Sequence, residues 1–330
     1  MENFWTTLPR PILSLAPMEG VTDTVFRRVV ARCAKPDVYF TEFTNCDGLW
    51  SAGREALMQS LLFTETERPI VAQIWGIDPA LFYKTAKFIG ELGFDGIDIN
   101  MGCPVRDINK HGACASLIKN PNLAREIIQA TKEGAGNLPI SVKTRIGYTT
   151  IQTEEWIPVL LSTGIDVLTI HGRTAKELSS VPCHWDEIGK AVGMRDTMKR
   201  KTLIIGNGDV MSAAEALNKS KTYGVDGVMI GRGVLRNLWV FDRTGAAQEH
   251  TCLRRQAKKE MLRLLLDHVS LFDEVWGRKK SFATLRKYFK IYTTGFYQAS
   301  ELREQLMKTN NRKEVEALIS PLVESPVLES

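Results

Sequence analysis

The sequence predicts an α/β fold, a (β/α)8 barrel followed by a small all-helical bundle. Three observations predict it. Eight short apolar or β-branched runs alternate with segments of helical spacing across the first 235 residues. Each run ends in polar residues or glycine, and ~250 residues is the usual span of a barrel of eight such units. After residue 250 strand-like runs and glycines thin out, and stretches of helical spacing take over. A doubly wound open sheet would show a glycine-rich fingerprint after its first strand, whereas the first run here leads into PMEG.

In chain order the expected strands are PILSLAPME (11–19), VYFTEFTN (38–45), PIVAQIWG (69–76), GIDINMGCP (96–104), ISVKTRIG (140–147), VLTIHGR (167–173), TLIIGNGD (202–209) and GVMIGRG (227–233). Between them, segments such as 79–93 and 121–136 open on Asp-Pro or Asn-Pro and close on glycine, as capped helices do. The tail is expected to form long helices over 253–276, 278–296 and 301–324. The expected domains are therefore a barrel over 1–240 and a helical domain over 250–330, joined by a link at 236–250.

Composition excludes several classes. Residues 1–250 carry 28 basic and 28 acidic side chains, and residues 251–330 carry 15 and 10, so the whole net charge of +5 lies in the tail. Such segregation points to a tail that meets something anionic. The six cysteines form no CxxC pair, so neither a disulfide framework nor a zinc site is indicated. The N-terminus lacks the basic start and apolar core of an export signal, and no stretch approaches the ~18 apolar residues of a membrane span. A cytoplasmic protein is expected.

Barrel chemistry sits at the C-terminal ends of the strands. Those ends carry Pro17, Met18 and Glu19; Gln73; Asn100 and Cys103; Lys143 and Arg145; His171 and Arg173; Asn207, Gly208 and Asp209; and Gly231 and Arg232. GNGD and GRG place bare backbone amides beside helix starts after the last two strands, where barrels commonly bind phosphate, and Arg232 can add a charge-assisted contact. Lys143 and Gln73 suit the ring edge of a flavin, because a cation stabilises charge on the ring and an amide pairs with its donors and acceptors. Cys103, projected by the Gly102–Pro104 turn, can serve as nucleophile, proton donor or small hydrophobe. With no metal spacing around it and an ordinary thiol pKa near 8.5, it reads as a proton donor. Cys114, opening a helix, reads as packing.

These residues closely resemble the tRNA-dihydrouridine synthases. The matching strings are APMEGVTD (16–23), TEF (41–43), QIWG (73–76), DINMGCP (98–104) with Lys110 and Gly112 behind it, VKTRIG (142–147), HGRT (171–174), GNGD (206–209) and IGRG (230–233). The resemblance implies FMN held by Pro17, Met18, Glu19, Gln73, Lys143, Asn207, Gly208, Asp209, Gly231 and Arg232, with His171 close to the ring and NADPH as reductant. It also implies hydride delivery to carbon 6 of a tRNA uracil, with Cys103 protonating carbon 5 and Asn100, Arg145, His171 and Arg173 lining the pocket. After HGRT the family commonly has a Tyr and a Gly before its Trp, whereas this chain reads AKELSSVPCHW (175–185).

The tail supports an RNA substrate independently. Segment 276–292 carries six basic side chains, Arg278, Lys279, Lys280, Arg286, Lys287 and Lys290, and no acidic one. Cations neutralise phosphates, and most of the interleaved aromatic residues are expected in the bundle core. Two rivals are a flavin barrel acting on a free pyrimidine, as dihydroorotate dehydrogenases do, and a non-catalytic RNA-binding protein. The first has no use for a basic tail, and Cys103, Lys143 and His171 argue against the second.

Overall fold

A computed structural model describes residues 3–244, 255–294 and 298–324, with residues 245–250 of the expected link and Cys252 outside that set. The chain forms two compact units, one of residues 1–24 and 36–232, the other of residues 25–35 and 233–330.

The first unit is built on nine strands, β1 (Ile12–Leu15), β2 (Tyr39–Phe40), β3 (Thr44–Asn45), β4 (Ile70–Trp75), β5 (Gly96–Met101), β6 (Ile140–Arg145), β7 (Val167–His171), β8 (Leu203–Asn207) and β9 (Gly227–Ile230). All pair in parallel in the order β1-β9-β8-β7-β6-β5-β4-β2. A parallel bridge between Ser14 and Val38 joins the two ends of that order. β2 and β3 both pair with β4, so the second expected run is one barrel position interrupted in its middle.

An aspartate clamp recurs at the N-terminal ends of the strands. The amides of Asp37, Asp95, Asp166 and Asp226 donate to the carbonyls of Leu13, Ile70, Ile140 and Ile204 at 2.8 to 3.0 Å. The carboxylate of each aspartate accepts from the amide of that same residue, at 2.6 Å for Leu13 and 2.8 Å for the other three. Each clamp thus satisfies both backbone groups of one residue on the neighbouring strand. Arg68, Asn3 and Arg195 hold Asp95, Asp166 and Asp226 in turn.

Successive strand side chains face opposite sides of the sheet, so only every second residue enters the barrel. The N-terminal layer is apolar: Ile12, Phe40, Val71, Val167, Ile205 and Met229 pack with Val38 and Trp5 into one cluster, and Phe4 stacks on Trp5 at 4.7 Å. In the same alternation the C-terminal layers hold Gln73, Asp98, Asn100, Ser141, Lys143, Arg145, Thr169, His171 and Asn207. The opposite face, with Ile74, Ile99, Val142, Leu168, Ile204 and Val228, is buried. The Asp-Pro and Asn-Pro starts cap as expected: Asp78 accepts from the Ala80 amide before α4 (Pro79–Glu91), and Asn120 from the Leu123 amide before α6 (Pro121–Ala135).

The second unit differs from expectation in two ways. The helix Thr24–Cys33, which lies after β1 in chain order, has residues 25–33 grouped with the C-terminal helices, because its Phe26 stacks on Tyr288 at 4.7 Å and faces His268. Of the three long helices expected, only the first is continuous, as Arg255–Trp276. The second is a 3-10 segment, Phe282–Tyr288, running into one short helix, Phe289–Tyr292. Thr293 and Thr294 hydroxyls donate back to the carbonyls of Phe289 and Lys290, a competing bond that favours a helix end. The third is split into Ala299–Lys308 and Arg312–Glu324, because Asn311 caps the latter by accepting from the Glu314 amide at 3.0 Å.

The clamps give the first prediction. Asp226→Ala leaves the Ile204 amide without its side-chain acceptor and Arg195 with Asp196 alone, so urea denaturation should show a loss of about 1–3 kcal/mol, with Asp226→Asn losing less.

Candidate active site

At the end of β5 the chain turns sharply through Gly102, Cys103 and Pro104. The turn is latched by Asn100, whose Oδ1 accepts from the amides of Gly102 at 3.0 Å and Cys103 at 2.9 Å. The Asn100 amide nitrogen donates to Gln73 Oε1 at 3.0 Å, Gln73 Nε2 donates to Asp98 Oδ2 at 2.7 Å, and the Ser141 hydroxyl donates to Asp98 Oδ1 at 2.5 Å. All are buried, so the hydrogen-bond chain runs from the barrel interior to the cysteine. A carboxylate only accepts; this fixes Gln73 with its nitrogen toward Asp98, and therefore Asn100 with its oxygen toward the turn. Burial pushes the Asp98 carboxyl up to about 6 against the hydrogen bonds from Ser141 and Gln73.

The thiol of Cys103 is not an ordinary one. The neighbouring Cys114 thiol lowers it to about 6, against the effect of partial burial, with help from the Val105 backbone and the positive charges of Arg145 and Lys143. Cys114 is driven well above the usual thiol range by Cys103 and by burial. The Cys103 thiol is therefore more acidic than the ordinary thiol expected from the sequence.

Basic groups surround the turn. Burial, with Arg145 beside it, lowers Lys143 to about 8, and Lys143 makes no hydrogen bond among the described residues. Its register partner on β7 is Thr169, whose hydroxyl is buried without a partner. Arg145 donates from Nε to the Gly102 carbonyl at 2.7 Å and from Nη1 to the carbonyls of Thr174 and Leu178, tying the cysteine turn to the loop after β7. Burial and four nearby cations hold His171 well below its usual range, so it is neutral. Its Nε2 faces Arg173 Nη1 at 3.2 Å; a guanidinium only donates, so Nε2 accepts and the ring proton sits on Nδ1. Arg173 is buried, with its other bonds to the Val181 carbonyl and the Asp209 carboxylate.

The loops after β8, β9 and β1 converge. Gly208 has φ 132°, and a Cβ there would strike Cys183. Asp209 (φ 52°) accepts from Arg173, from Arg232 at 3.2 Å and from the Cys183 amide at 3.0 Å, so its carboxylate orients the two arginines. Asn207 donates to the Met229 carbonyl at 2.8 Å. Gly231 stands against Met18, and the loop after β1 is shaped by Glu42, which accepts from the Gly20 amide at 2.6 Å. Pro17 and Met18 are half-buried and Glu19 is exposed. The divergent 175–185 loop keeps Trp185 packed over Gly206, its Nε1 donating to the Gly208 carbonyl at 3.0 Å.

In the helical unit Arg278, Lys279, Lys287 and Lys290 are exposed. Lys280 lies 3.8 Å from the Trp276 ring centroid, and Arg286 donates to the Thr309 carbonyl and to Asn310. Trp276, Tyr288, Phe289 and Tyr292 are buried, as expected for the aromatic residues.

Residues 14–325 match the family model described as dihydrouridine synthase. The chain belongs to the dihydrouridine synthase family. It is 46% identical over 321 residues to a probable tRNA-dihydrouridine synthase of Staphylococcus aureus (strain MRSA252), covering 96% of this chain and 95% of that one. It is equally similar to a probable tRNA-dihydrouridine synthase 2 of Bacillus subtilis (strain 168), covering 96% of each. Among solved structures, an old yellow enzyme homologue from Zymomonas mobilis (TM-score 0.50, 15% identity, 74% of this chain and 90% of that one) shares the fold. So does histamine dehydrogenase from Rhizobium sp. 4-9 (TM-score 0.52, 13% identity, 78% of this chain and 48% of that one).

Within this member of the family, sequence reasoning missed Asp98, Glu42 and Cys114. Asp98 stands in the same DINMGCP string as Cys103, and the strand alternation that puts Asn100 inside the barrel puts Asp98 there too. Glu42 lies in the quoted TEF string. Cys114 carried no signal, since its proximity to Cys103 arises from the fold.

The coupled thiols give the second prediction. Alkylation of Cys103 by iodoacetamide, followed by mass spectrometry of its peptide, should reach half its maximal rate near pH 6, and Cys114→Ala should move that midpoint upward. Cys33, Cys46 and Cys183, pushed to about 12, 12 and 11 mainly by burial, should stay unreactive in the same range.

Proposed function

We propose that this chain is a cytoplasmic tRNA-dihydrouridine synthase that uses FMN and NADPH to reduce uridine in tRNA. The observation that carries the reading is the Cys103 turn: a thiol of lowered pKa, latched by Asn100, in the polar mouth of a barrel of this family. The names of the 46% identical relatives and the exposed cations of the helical unit support tRNA as substrate.

The residues fit a flavin mononucleotide. Lys143 is a desolvated cation without a hydrogen-bond acceptor, and Thr169 beside it in register has an orphaned hydroxyl, so both suit a polar, electron-rich ring edge. Arg232, oriented by Asp209, and the turns at Gly208 and Gly231 suit a phosphate. Pro17, Met18, Glu19, Gln73, His171 and Asn207 complete the cofactor side. A flavin held by these residues would supply the hydride, drawn in turn from NADPH.

The remaining chemistry belongs to side chains. Arg145, Arg173 and Asn100 line the uracil side, and through its bonds to Gly102, Thr174 and Leu178 Arg145 holds both walls of the mouth together. Neutral His171 offers a hydrogen-bond donor without adding charge. Cys103 transfers its proton to carbon 5 of the uracil. A thiol of lowered pKa is a stronger acid than an ordinary one; it takes its proton from solvent before the base covers it, and the covered site then favours the neutral form until that proton passes to carbon 5.

The third prediction follows. Purified protein should be yellow with a flavin spectrum, and the extracted cofactor should be FMN. Cys103→Ala should keep the colour and its bleaching by NADPH while dihydrouridine formation in tRNA falls about 10²–10⁴-fold. A colourless protein that takes up no FMN would defeat the cofactor assignment, and full activity of the variant would remove Cys103 from the proton-donor role.

A further inference from the structure

A uridine turned out of a folded RNA leaves neighbours that the enzyme must grip. Two loops at the mouth of the barrel pair an exposed branched aliphatic residue with an exposed cation, and a third sets such a residue near a ring covered by a cation from another segment. After β5 they are Val105, 51% exposed, and Arg106; after β7, Leu178, 52% exposed, and Lys176. After β6 comes Ile151, 44% exposed, near Tyr148, over whose ring Lys119 lies at 4.0 Å. Arg106, Lys119 and Lys176 have no carboxylate partner among the described residues, whereas nearby Lys110 is engaged by Asp107 at 3.2 Å.

The three loops form one ridge. Arg145 bonds the Gly102 and Leu178 carbonyls at once, at 2.7 and 3.2 Å. The amides of Ala175 and Lys176 donate to the carbonyls of Gly147 and Tyr148 at 3.0 and 2.9 Å. Leu178 therefore stands one guanidinium away from the residue preceding Cys103. Its φ is 54°, a conformation that a bulky aliphatic residue seldom adopts and that persists where surrounding bonds enforce it. The backbone at this unusual φ presents an apolar side chain to solvent.

Resting on the function proposed above, we infer that this ridge is an RNA-contact surface of the barrel itself. Val105, Ile151 and Leu178 pack against the bases flanking the turned-out uridine, and Arg106, Lys119 and Lys176 neutralise the adjoining phosphates. The interleaving of three apolar groups with three cations along the ridge matches the alternation of base and phosphate along an opened strand. It makes the divergent 175–185 loop part of substrate recognition.

Leu178→Gly separates recognition from structure. Glycine accepts φ 54° without strain, so a purely structural role leaves thermal stability equal or higher and the KM for tRNA unchanged. Recognition raises the KM for an unmodified tRNA transcript roughly 5- to 20-fold, with a smaller effect on kcat. The combined Arg106→Ala, Lys119→Ala, Lys176→Ala variant should lower the slope of log affinity against log salt by about 2. If the wild type reduces uridine in tRNA and both variants match it, the ridge is overturned and the function stands. A wild-type chain inert toward tRNA overturns both.

Discussion

The four aspartate clamps are the constraint on which the barrel depends. A parallel strand can slide along its neighbour, and a slip of one residue would turn every interior side chain outward. Asp37, Asp95, Asp166 and Asp226 oppose that slip because each binds both the amide and the carbonyl of a single residue on the adjacent strand. With register fixed at the N-terminal ends, alternation does the rest. Val71, Val167 and Ile205 fill the floor, and residues two or four positions further along the same strands, Gln73, His171 and Asn207, fall on the same interior face, as Lys143 and Arg145 do on β6. Floor and site are two levels of one pattern.

That arrangement gathers Lys143, Arg145, Arg173 and neutral His171 into a small volume, which burial alone would make unfavourable. The site tolerates it because negative groups are placed with direction. Asp98 sits below Lys143 and polarises Gln73 and Asn100, while Asp209 takes Arg173 and Arg232 together. The remaining positive potential is at Lys143 and at the Cys103 turn, where it favours an anion. The lowered Cys103 owes most to the Cys114 thiol and the lowered Lys143 most to burial, and Arg145 adds to both, stabilising the one anion and repelling the other cation.

Much of this was legible in the sequence because strand ends report on the site directly. All eight runs correspond to barrel positions, with β2 and β3 sharing one, and Asn100, Lys143, Arg145, His171 and Asn207 fall on the interior face. What was not legible is partnership. Nothing in the spacing shows that Arg173 is committed to Asp209 and His171, or that Gln73 and Asn100 bond each other. The clamps were visible in outline as the recurring Gly-x-Asp before three strands, at 93–95, 164–166 and 224–226, but a turn glycine followed by aspartate reads first as a loop. In the tail, helical spacing ran on through Asn310–Asn311, yet Asn311 is a stronger cap than an interior residue. The grouping of Phe26 with Tyr288 depends on packing that chain order conceals.

The buried aromatic residues of the helical unit limit what its basic surface can contribute. Trp276, Tyr288, Phe289 and Tyr292 are occupied in the core, where Tyr292 meets His268 at 2.7 Å, so no ring among them is free to stack on a base. Arg278, Lys279, Lys287 and Lys290 offer charge, and charge neutralises phosphates of any sequence. Side chains suited to touching a base lie instead around Cys103, on the loops after β5, β6 and β7. On the proposed reading, affinity for tRNA and choice among bases are thus separate tasks. The helical unit supplies the first through long-range attraction, and the barrel mouth performs the second, where Arg145 makes the position of Leu178 depend on the same guanidinium that holds the catalytic turn.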